Sequence, residues 1–402
     1  MRHLGTEPHW VSISNKVTYP DDIKSRYNTI MTTFIKDFES DFAKNLSERN
    51  FTFKNMIIQP RGLTNERLMC FANSSIQLLF SSPHFVSFAY FMKMNLPLFS
   101  PRQLELVPAW RLFCQFLSGF QFSDSATSDG ALPSLKSLSL KKEGPTSLKI
   151  LDPVFGQFSS QRQPLYQEDA IEFLLYFLGK LHEELLKLMK LDPQVSKNDN
   201  DGWRVAGSNR KSIKLTETQG EFSPLFDIFA TLIHSDTMEH NVTRSVNKES
   251  LVVLPLAIRG VTKLSEALEQ FTSIERITET ITKKATFYFL PKTLIIGLKR
   301  FDFDPFNSQL VKIRQIIEYP DVLTMNKVNN QGPIQYQLCG IVEHIGGSPE
   351  GGHYVCYTKR IDGHWSKFDD RTVTSIDDDQ HLGIEAYLLL YNQITSARTD
   401  NT

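Results

Sequence analysis

The chain has 402 residues, 41% of them hydrophobic and 22% charged, which is the make-up of a globular protein with a substantial core and excludes a disordered scaffold. Its 44 basic residues nearly balance 45 acidic ones, so a formal net charge of -1 provides no global field to hold it on nucleic acid or an anionic membrane; no nucleic-acid partner is expected. The start lacks the apolar core of a secretory signal, no run approaches the ~18 apolar residues of a membrane span, and four dispersed cysteines (Cys70, Cys114, Cys339, Cys356) make neither a disulfide framework nor a CxxC pair, so membrane insertion is not expected and the location is read as cytoplasmic and/or nuclear.

Between residues 20 and 50, Ile30, Met31, Phe34, Ile35, Phe38 and Phe42 recur at helical spacing and predict an amphipathic helical segment, so residues 1–50 are set apart from a main body at 51–402. Pro60-Arg61-Gly62 breaks the chain, and helical patterns resume from about Cys70 to Phe80 and around Trp110 to Phe120. Residues 123–149, rich in Ser, Lys, Gly and Pro, read as an exposed loop. The strongest helix follows, with Ala170, Phe173, Leu174, Phe177, Leu178, Leu181, Leu185 and Leu188 in one stripe, Glu168 and Asp169 in its first turn, and Asp192-Pro193 as its stop. Past a polar stretch at 194–221, short β-rich runs take over at Leu251–Leu254, Thr293–Leu298, Tyr336–Val342, His353–Lys359 and Ala386–Tyr391. Helices first and antiparallel sheet second make the fold class α+β.

Cys70 opens a predicted helix after the turn-like Gly62-Leu63-Thr64-Asn65, where the positive end of the dipole favours a nucleophilic thiolate; taken alone, it reads more readily as a buried structural thiol. A cysteine nucleophile needs a base and a group that orients the base, and the C-terminal third supplies both. In Gly351-Gly352-His353-Tyr354-Val355-Cys356-Tyr357 the glycines permit close approach of a substrate backbone, and strand alternation sets the face that His353 presents. The run Trp365-Ser366-Lys367-Phe368-Asp369-Asp370 ends in two acids; paired with the first segment, it brings Asp369 to the imidazole. The competing reading makes Gly351-Gly352 a tight turn, leaves His353 on the surface and uses Asp369 and Asp370 as loop caps.

Taken in order, these segments resemble the motifs of the ubiquitin-specific protease family. The cysteine box is Arg61-Gly62-Leu63-Thr64-Asn65-Glu66-Arg67-Leu68-Met69-Cys70-Phe71-Ala72-Asn73-Ser74-Ser75-Ile76-Gln77, and a second box is Tyr166-Gln167-Glu168-Asp169-Ala170-Ile171-Glu172-Phe173. Leu290 to Phe301 looks like the run that leads out of the fingers, and the histidine box extends from Tyr336 through His344, Gly346, Gly352-His353-Tyr354 and Phe368-Asp369-Asp370 to Tyr391. Pro60-Arg61-Gly62-Leu63, Gly202-Trp203-Arg204-Val205 and Ile317-Glu318-Tyr319-Pro320 look most like the subgroup of ubiquitin carboxyl-terminal hydrolase ten and its fungal counterpart, which lacks the usual zinc ribbon.

The resemblance implies a papain-like cysteine protease fold with a helical thumb (about 60–195), β-rich fingers (about 222–290) and a β-sheet palm (about 291–395). It implies a thiol-dependent deubiquitinase that hydrolyses the isopeptide or peptide bond after the C-terminal glycine of ubiquitin, with ubiquitin and ubiquitinated proteins as partners and room for an accessory protein subunit. Cofactors are none and metal is none. Carried over residue by residue, Cys70 is the nucleophile, His353 the general base, Asp369 its orienting acid with Asp370 as fallback, and Asn65 the oxyanion-hole donor beside the Cys70 N–H. Gln167, Asp169, Glu172, Gly351, Gly352 and Tyr354 fall at the ubiquitin tail; Asp169 and Glu172 also read simply as dipole complementation and a solvated face.

Two departures qualify this expectation. Arg67-Leu68-Met69 stands where the family commonly has Gly-Asn-Thr, so a required positive φ at position 67 would strain an arginine, and a catalytically weak ubiquitin-binding adaptor is the alternative function. The fingers carry no cysteine, leaving His234 and His240 as surface imidazoles and packing alone to hold that region; Cys114, Cys339 and Cys356 read as core or strand thiols, Cys356 facing away from His353.

Overall fold

The computed structural model describes residues 56–66, 68–124, 144–158, 168–189, 223–240, 242–304, 309–326, 332–348, 351–360, 362–377 and 379–394. The predicted helix at 20–50, Arg67, most of the predicted loop, Gln167, the Asp192-Pro193 stop and Gly202–Val205 lie outside them. A short strand β1 (Met56–Ile58) leads into helix α1 (Cys70–Phe80), followed by α2 (Pro83–Asn95), α3 (Pro101–Leu106) and α4 (Pro108–Leu117); β2 (Phe122–Asp124) returns antiparallel to β1. A single turn, α5 (Asp152–Phe155), precedes the long α6 (Ala170–Met189), and α7 (Pro224–Phe229) ends the helical part.

Helix α1 has almost no exposed face: Phe71, Ala72, Ile76, Leu78 and Leu79 are buried, but so are Asn73, Ser74, Ser75 and Gln77. Such a helix lies inside the molecule rather than on it, and its polar side chains find partners there, as when Ser75 Oγ donates to Phe71 O at 2.8 Å and Gln77 Nε2 to Arg61 O at 2.7 Å. The α6 stripe packs against α4 through aromatic contacts such as Phe113 on Phe177, with ring centroids 5.3 Å apart and nearly perpendicular. At the same junction Glu184 of α6 accepts the first amides of α4, Ala109 N at 2.9 Å and Trp110 N at 3.0 Å, so one helix caps another. Burial raises the Glu184 carboxyl to about 6 even against those two bonds.

From β3 (Thr231–Glu239) the chain becomes sheet. β3 lies between β4 (Val242–Leu251) and β7 (Ile281–Phe289), with β6 (Ile274–Arg276) outside β7, giving a four-stranded antiparallel extension. The second sheet contains β5 (Val253–Ala257), β8 (Thr293–Lys299), β11 (Val322–Met325), β12 (Ile334–Ser348), β13 (Gly351–Lys359), β14 (Trp365–Asp369), β15 (Thr372–Ile376) and β16 (Ala386–Gln393), in the order β15-β14-β13-β12-β16-β8-β5 with β11 beside β12. A hairpin of β9 (Phe301–Asp304) and β10 (Gln309–Lys312) hangs from its side, and helix α8 (Leu264–Thr272) lies between β5 and β6 in the chain.

Two details correct the sequence reading. Leu251–Leu254 is one run in the sequence but two strands in space, broken at Val252, because β4 belongs to the extension and β5 to the main sheet. The main sheet is also mixed, since β5 pairs parallel with β8; the long connection through α8, β6 and β7 gives the chain room for that crossover. Both faces of this sheet are covered. Leu388, Leu390, Cys356 and Phe368 enter the core shared with the helices, while Leu389, Tyr391, Val355 and Trp365 enter a second core on the other side. Each fully buried side chain of this size contributes roughly 1.5–3 kcal/mol, so strand register is strongly specified where it is about to matter.

Candidate active site

Packed between helices and sheet, the N-terminus of α1 delivers Cys70 as its first residue. The β13–β14 ladder, with Cys356 opposite Phe368 and Lys359 opposite Trp365, continues toward the same point and brings two further side chains together. His353 Nε2 lies 2.7 Å from Asp369 Oδ1, and the ring is also engaged by a hydrogen bond with Cys70. That contact with Cys70 is the largest influence on the imidazole; burial opposes it, the Asp369 bond and the Cys70 and Asp370 charges add to it, and the ring's pKa rises to about 9. Burial tends to raise the Asp369 carboxyl, but the bond to His353 and the ammonium of Lys367, 3.4 Å away, hold it below its ordinary value.

The two adjacent acids have separate jobs. Asp369 makes the hydrogen bond with His353, whereas Asp370, in a left-handed backbone conformation with φ +50°, stays near the ring and directs its carboxylate's hydrogen bonds to the cysteine loop and helix. Asn65 Nδ2 donates to Asp370 Oδ2 and Asn73 Nδ2 to Asp370 Oδ1, both at 2.8 Å, while Leu63 N donates to Asp370 O at 3.0 Å. Asn65 Oδ1 in turn accepts Met69 N at 2.7 Å, just before the nucleophile. The Asn65 amide is thereby held by both ends, with one Nδ2 hydrogen uncommitted among the described residues. Asn73 was not singled out by sequence reasoning; its position three residues after Cys70, on a neighbouring line of the same helix, is the signal that could have found it.

The expected strain at position 67 lies outside the described residues, but the next residue is strained. Leu68 has φ +60°, a conformation that costs an ordinary side chain ~1 kcal/mol or more, and it is 48% exposed, two residues before the nucleophile.

The glycine pair also divides. A Cβ on Gly351 would meet nothing within 4 Å, whereas one on Gly352 would lie 2.5 Å from His344 Nε2 and 2.6 Å from Ile345 O. Position 352 therefore requires glycine because the protein's own backbone packs onto a buried imidazole, a reason separate from substrate approach. His344 is 1% exposed, stands among Phe301, Tyr354 and Tyr387, and neither ring nitrogen has a hydrogen-bond partner among the described residues; burial first, then Lys312, lowers its pKa to about 4. One of the two neighbouring imidazoles is thus kept neutral while the other is disposed to hold a proton.

Asp169 sits just ahead of α6 rather than within its first turn. Its Oδ1 accepts Ile171 N at 2.8 Å and Glu172 N at 3.0 Å, and its Oδ2 accepts the Tyr387 hydroxyl, tying the helix to β16. Tyr354 is buried close to the Asp169 and Glu172 charges, so these three tail candidates are neighbours.

His353, Asp369 and Asp370 are the one group among the described residues whose ligand atoms could converge on a metal. Their lone pairs already serve the His353–Asp369 bond, Lys367, Asn65 and Asn73, which argues against a cation there. In the fingers, His240 is exposed, but His234 is half-buried and stacks on Tyr288 with centroids 4.4 Å apart, which corrects its reading as a surface residue. Cys114, Cys339 and Cys356 are each pushed up by burial, Cys114 to about 12, and so are poor nucleophiles.

A thiol, an imidazole and a carboxylate in this linear order define the class of cysteine hydrolases that act through an acyl-enzyme. The family model described as ubiquitin carboxyl-terminal hydrolase matches residues 61–391, and the chain belongs to that family. Ubiquitin hydrolase B of Dictyostelium discoideum is 31% identical over 263 residues, covering 59% of this chain and 58% of the relative. Ubiquitin carboxyl-terminal hydrolase 10-B of Xenopus laevis is 27% identical over 88% of this chain and 50% of its own length. The chain thus spans little more than half the length of these relatives. Among solved structures, a SAGA DUB module of Ubp8, Sgf11, Sus1 and Sgf73 bound to monoubiquitin contains a chain that superposes with a TM-score of 0.61 at 22% identity, covering 89% of this chain and 76% of that one. The fold is accordingly the papain-like α+β fold of ubiquitin-specific proteases, the helices forming the thumb, the mixed sheet the palm and the four-stranded extension the fingers.

Proposed function

We propose that this chain is a cysteine-type ubiquitin isopeptidase, hydrolysing the bond after the C-terminal glycine of ubiquitin. The observation that carries the reading is the relay in which His353 engages both Cys70 and Asp369, the latter at 2.7 Å. Cys70 Sγ adds to the scissile carbonyl, and the oxygen that gains charge is met by the Cys70 N–H and the remaining Asn65 amide hydrogen. The C–N bond then breaks as the His353 imidazolium gives its proton to the leaving amine, which leaves a thioester. Water, losing its proton to His353, releases the ubiquitin carboxylate and restores the thiol. Asp369 holds the ring through both transfers, and losing an oxyanion donor such as Asn65 costs roughly 3 kcal/mol.

Ubiquitin as the partner is supported by the family and by the ubiquitin-bound structural neighbour; the accessory subunits beside that neighbour make a protein subunit a reasonable partner here. The near-neutral net charge and dispersed cysteines favour action in the cytoplasm or nucleus, testable by fractionation of tagged protein. The strained Leu68 favours a second reading, an adaptor that binds ubiquitin without turning it over. Ubiquitin carrying a C-terminal electrophile decides between them: covalent labelling of the wild type but not Cys70→Ala supports the enzyme, tight binding without labelling supports the adaptor, and indifference to ubiquitin refutes both.

A further inference from the structure

The loop that carries Asn65 is gripped from two sides, and only one side belongs to the catalytic sheet. On one edge Leu63 N donates to Asp370 O at 3.0 Å. On the other, Leu63 makes a parallel bridge with Thr146: Thr146 N donates to Gly62 O at 3.0 Å and Thr64 N to Thr146 O at 2.8 Å. Thr146 follows Gly144-Pro145, a stretch with no helix or strand of its own to hold it in place. On its far side the buried Leu148 and Leu151 anchor the chain, and on its near side Arg61 holds it. The guanidinium donates from Nε to Gly144 O at 2.7 Å and from Nη1 to Gly119 O in the turn after α4, and it lies over the Phe120 ring, 5.9 Å from the centroid. The Arg61 carbonyl is itself fixed by Gln77 Nε2 of α1 at 2.7 Å, so the residue connects the nucleophile's helix, the end of α4 and the outer edge of the Asn65 loop.

Resting on the function proposed above, we infer that Arg61 is a positioning residue for the oxyanion-stabilising loop, acting through the Gly144–Thr146 segment. The planar fork reaches two carbonyls at once and stacks on a ring, which a lysine's single ammonium cannot do. Without it the Thr146 edge loses its anchor at Gly144, and the Asn65 loop depends more heavily on Asp370, Met69 and Asn73. A displacement of the order of 1 Å at such a donor is enough to cost about a hundredfold in rate.

The test compares wild type, Arg61→Lys and Arg61→Ala in hydrolysis of a fluorogenic amide at the ubiquitin C terminus, in the inactivation rate of Cys70 by iodoacetamide, and in amide hydrogen exchange. Alkylation by iodoacetamide forms no oxyanion, so it reads the Cys70–His353 pair alone. The expected result is a kcat lower by about tenfold to a hundredfold with KM within about twofold, an unchanged alkylation rate, and faster exchange at Thr64 and Thr146 than at β13. Arg61→Lys keeps the charge and stem, so it decides the matter if Arg61→Ala does not fold. A folded Arg61→Lys with wild-type kcat overturns the proposal, as does a parallel fall of kcat and alkylation, which would mean general collapse of the site. If wild type itself does not hydrolyse the amide, the functional reading fails instead; exchange then decides the brace, unchanged protection at Thr64 and Thr146 overturning it and selective loss in Arg61→Lys sustaining it.

Discussion

The palm and the fingers are both sheets, yet they are built to opposite standards of rigidity. Strands β8, β12, β13 and β16 of the palm are buried on two faces between separate cores, whereas β6 of the fingers is exposed throughout and β7 is only partly covered. A strand packed on both sides cannot slide or tilt without opening a cavity in a close-packed interior. Chemistry that depends on a 2.7 Å contact is placed there, at the end of β13 and β14. A sheet with a large wet surface can adjust to a protein laid against it, at little cost to the fold.

The largest effect that tests this contrast is at the palm. Asp369→Ala is expected to lower kcat by about 10²–10⁴-fold, since the imidazole loses the group that orients it. The pH profile should report the same loss. The imidazolium is the proton donor and is favoured up to about pH 9, so kcat/KM of the wild type should fall as pH rises through that value. Removing the Asp369 bond, one of the contacts that raises the ring's pKa, should move this alkaline limb to lower pH. An unchanged limb would mean that Asp369 does not act on the ring.

A smaller effect separates the two glycines. Gly352→Ala must push a methyl into His344 and the Ile345 carbonyl and is expected to destabilise by about 1–3 kcal/mol, while Gly351→Ala, which meets open space, should leave the unfolding midpoint within about 0.5 kcal/mol of wild type. Denaturant unfolding of the two variants checks this, and equal losses would contradict the packing account. Smallest of all, Ile274→Ser on the outermost finger strand, 61% exposed, should change stability by under about 0.5 kcal/mol. If fingers meet ubiquitin, the same variant should raise KM while leaving kcat alone; a drop in kcat would show that the fingers are coupled to the palm more stiffly than their burial indicates.

Much of this was legible in the residues. Helix α1 spans the predicted Cys70–Phe80, the helix predicted around 110–120 is α4 at Pro108–Leu117, and the runs at 293–298, 336–342, 353–359 and 386–391 all lie in strands of the palm. Periodicity and motif order carry such information because they are local or collinear. The division of labour between Asp369 and Asp370 was not legible, since adjacent residues on a strand end differ only in the turn that follows, and it is the left-handed backbone at Asp370 that sends its carboxylate to Asn65 and Asn73. The positive φ at Leu68 was not legible either, because a loop's strained position is set by what both its ends are anchored to.

By itself, then, the order of residues determined the fold class and the family and marked Cys70, His353 and the Asp369-Asp370 pair as candidates, because hydrophobic spacing and separated motifs survive as patterns along a chain. The tertiary structure alone decided why Gly352 has to be a glycine, which carboxylate faces the imidazole, and how Arg61 and Thr146 hold the edge of the Asn65 loop. These are contacts between segments tens to hundreds of residues apart. Their geometry is fixed by burial and hydrogen-bond satisfaction across the whole core, and no local pattern records it.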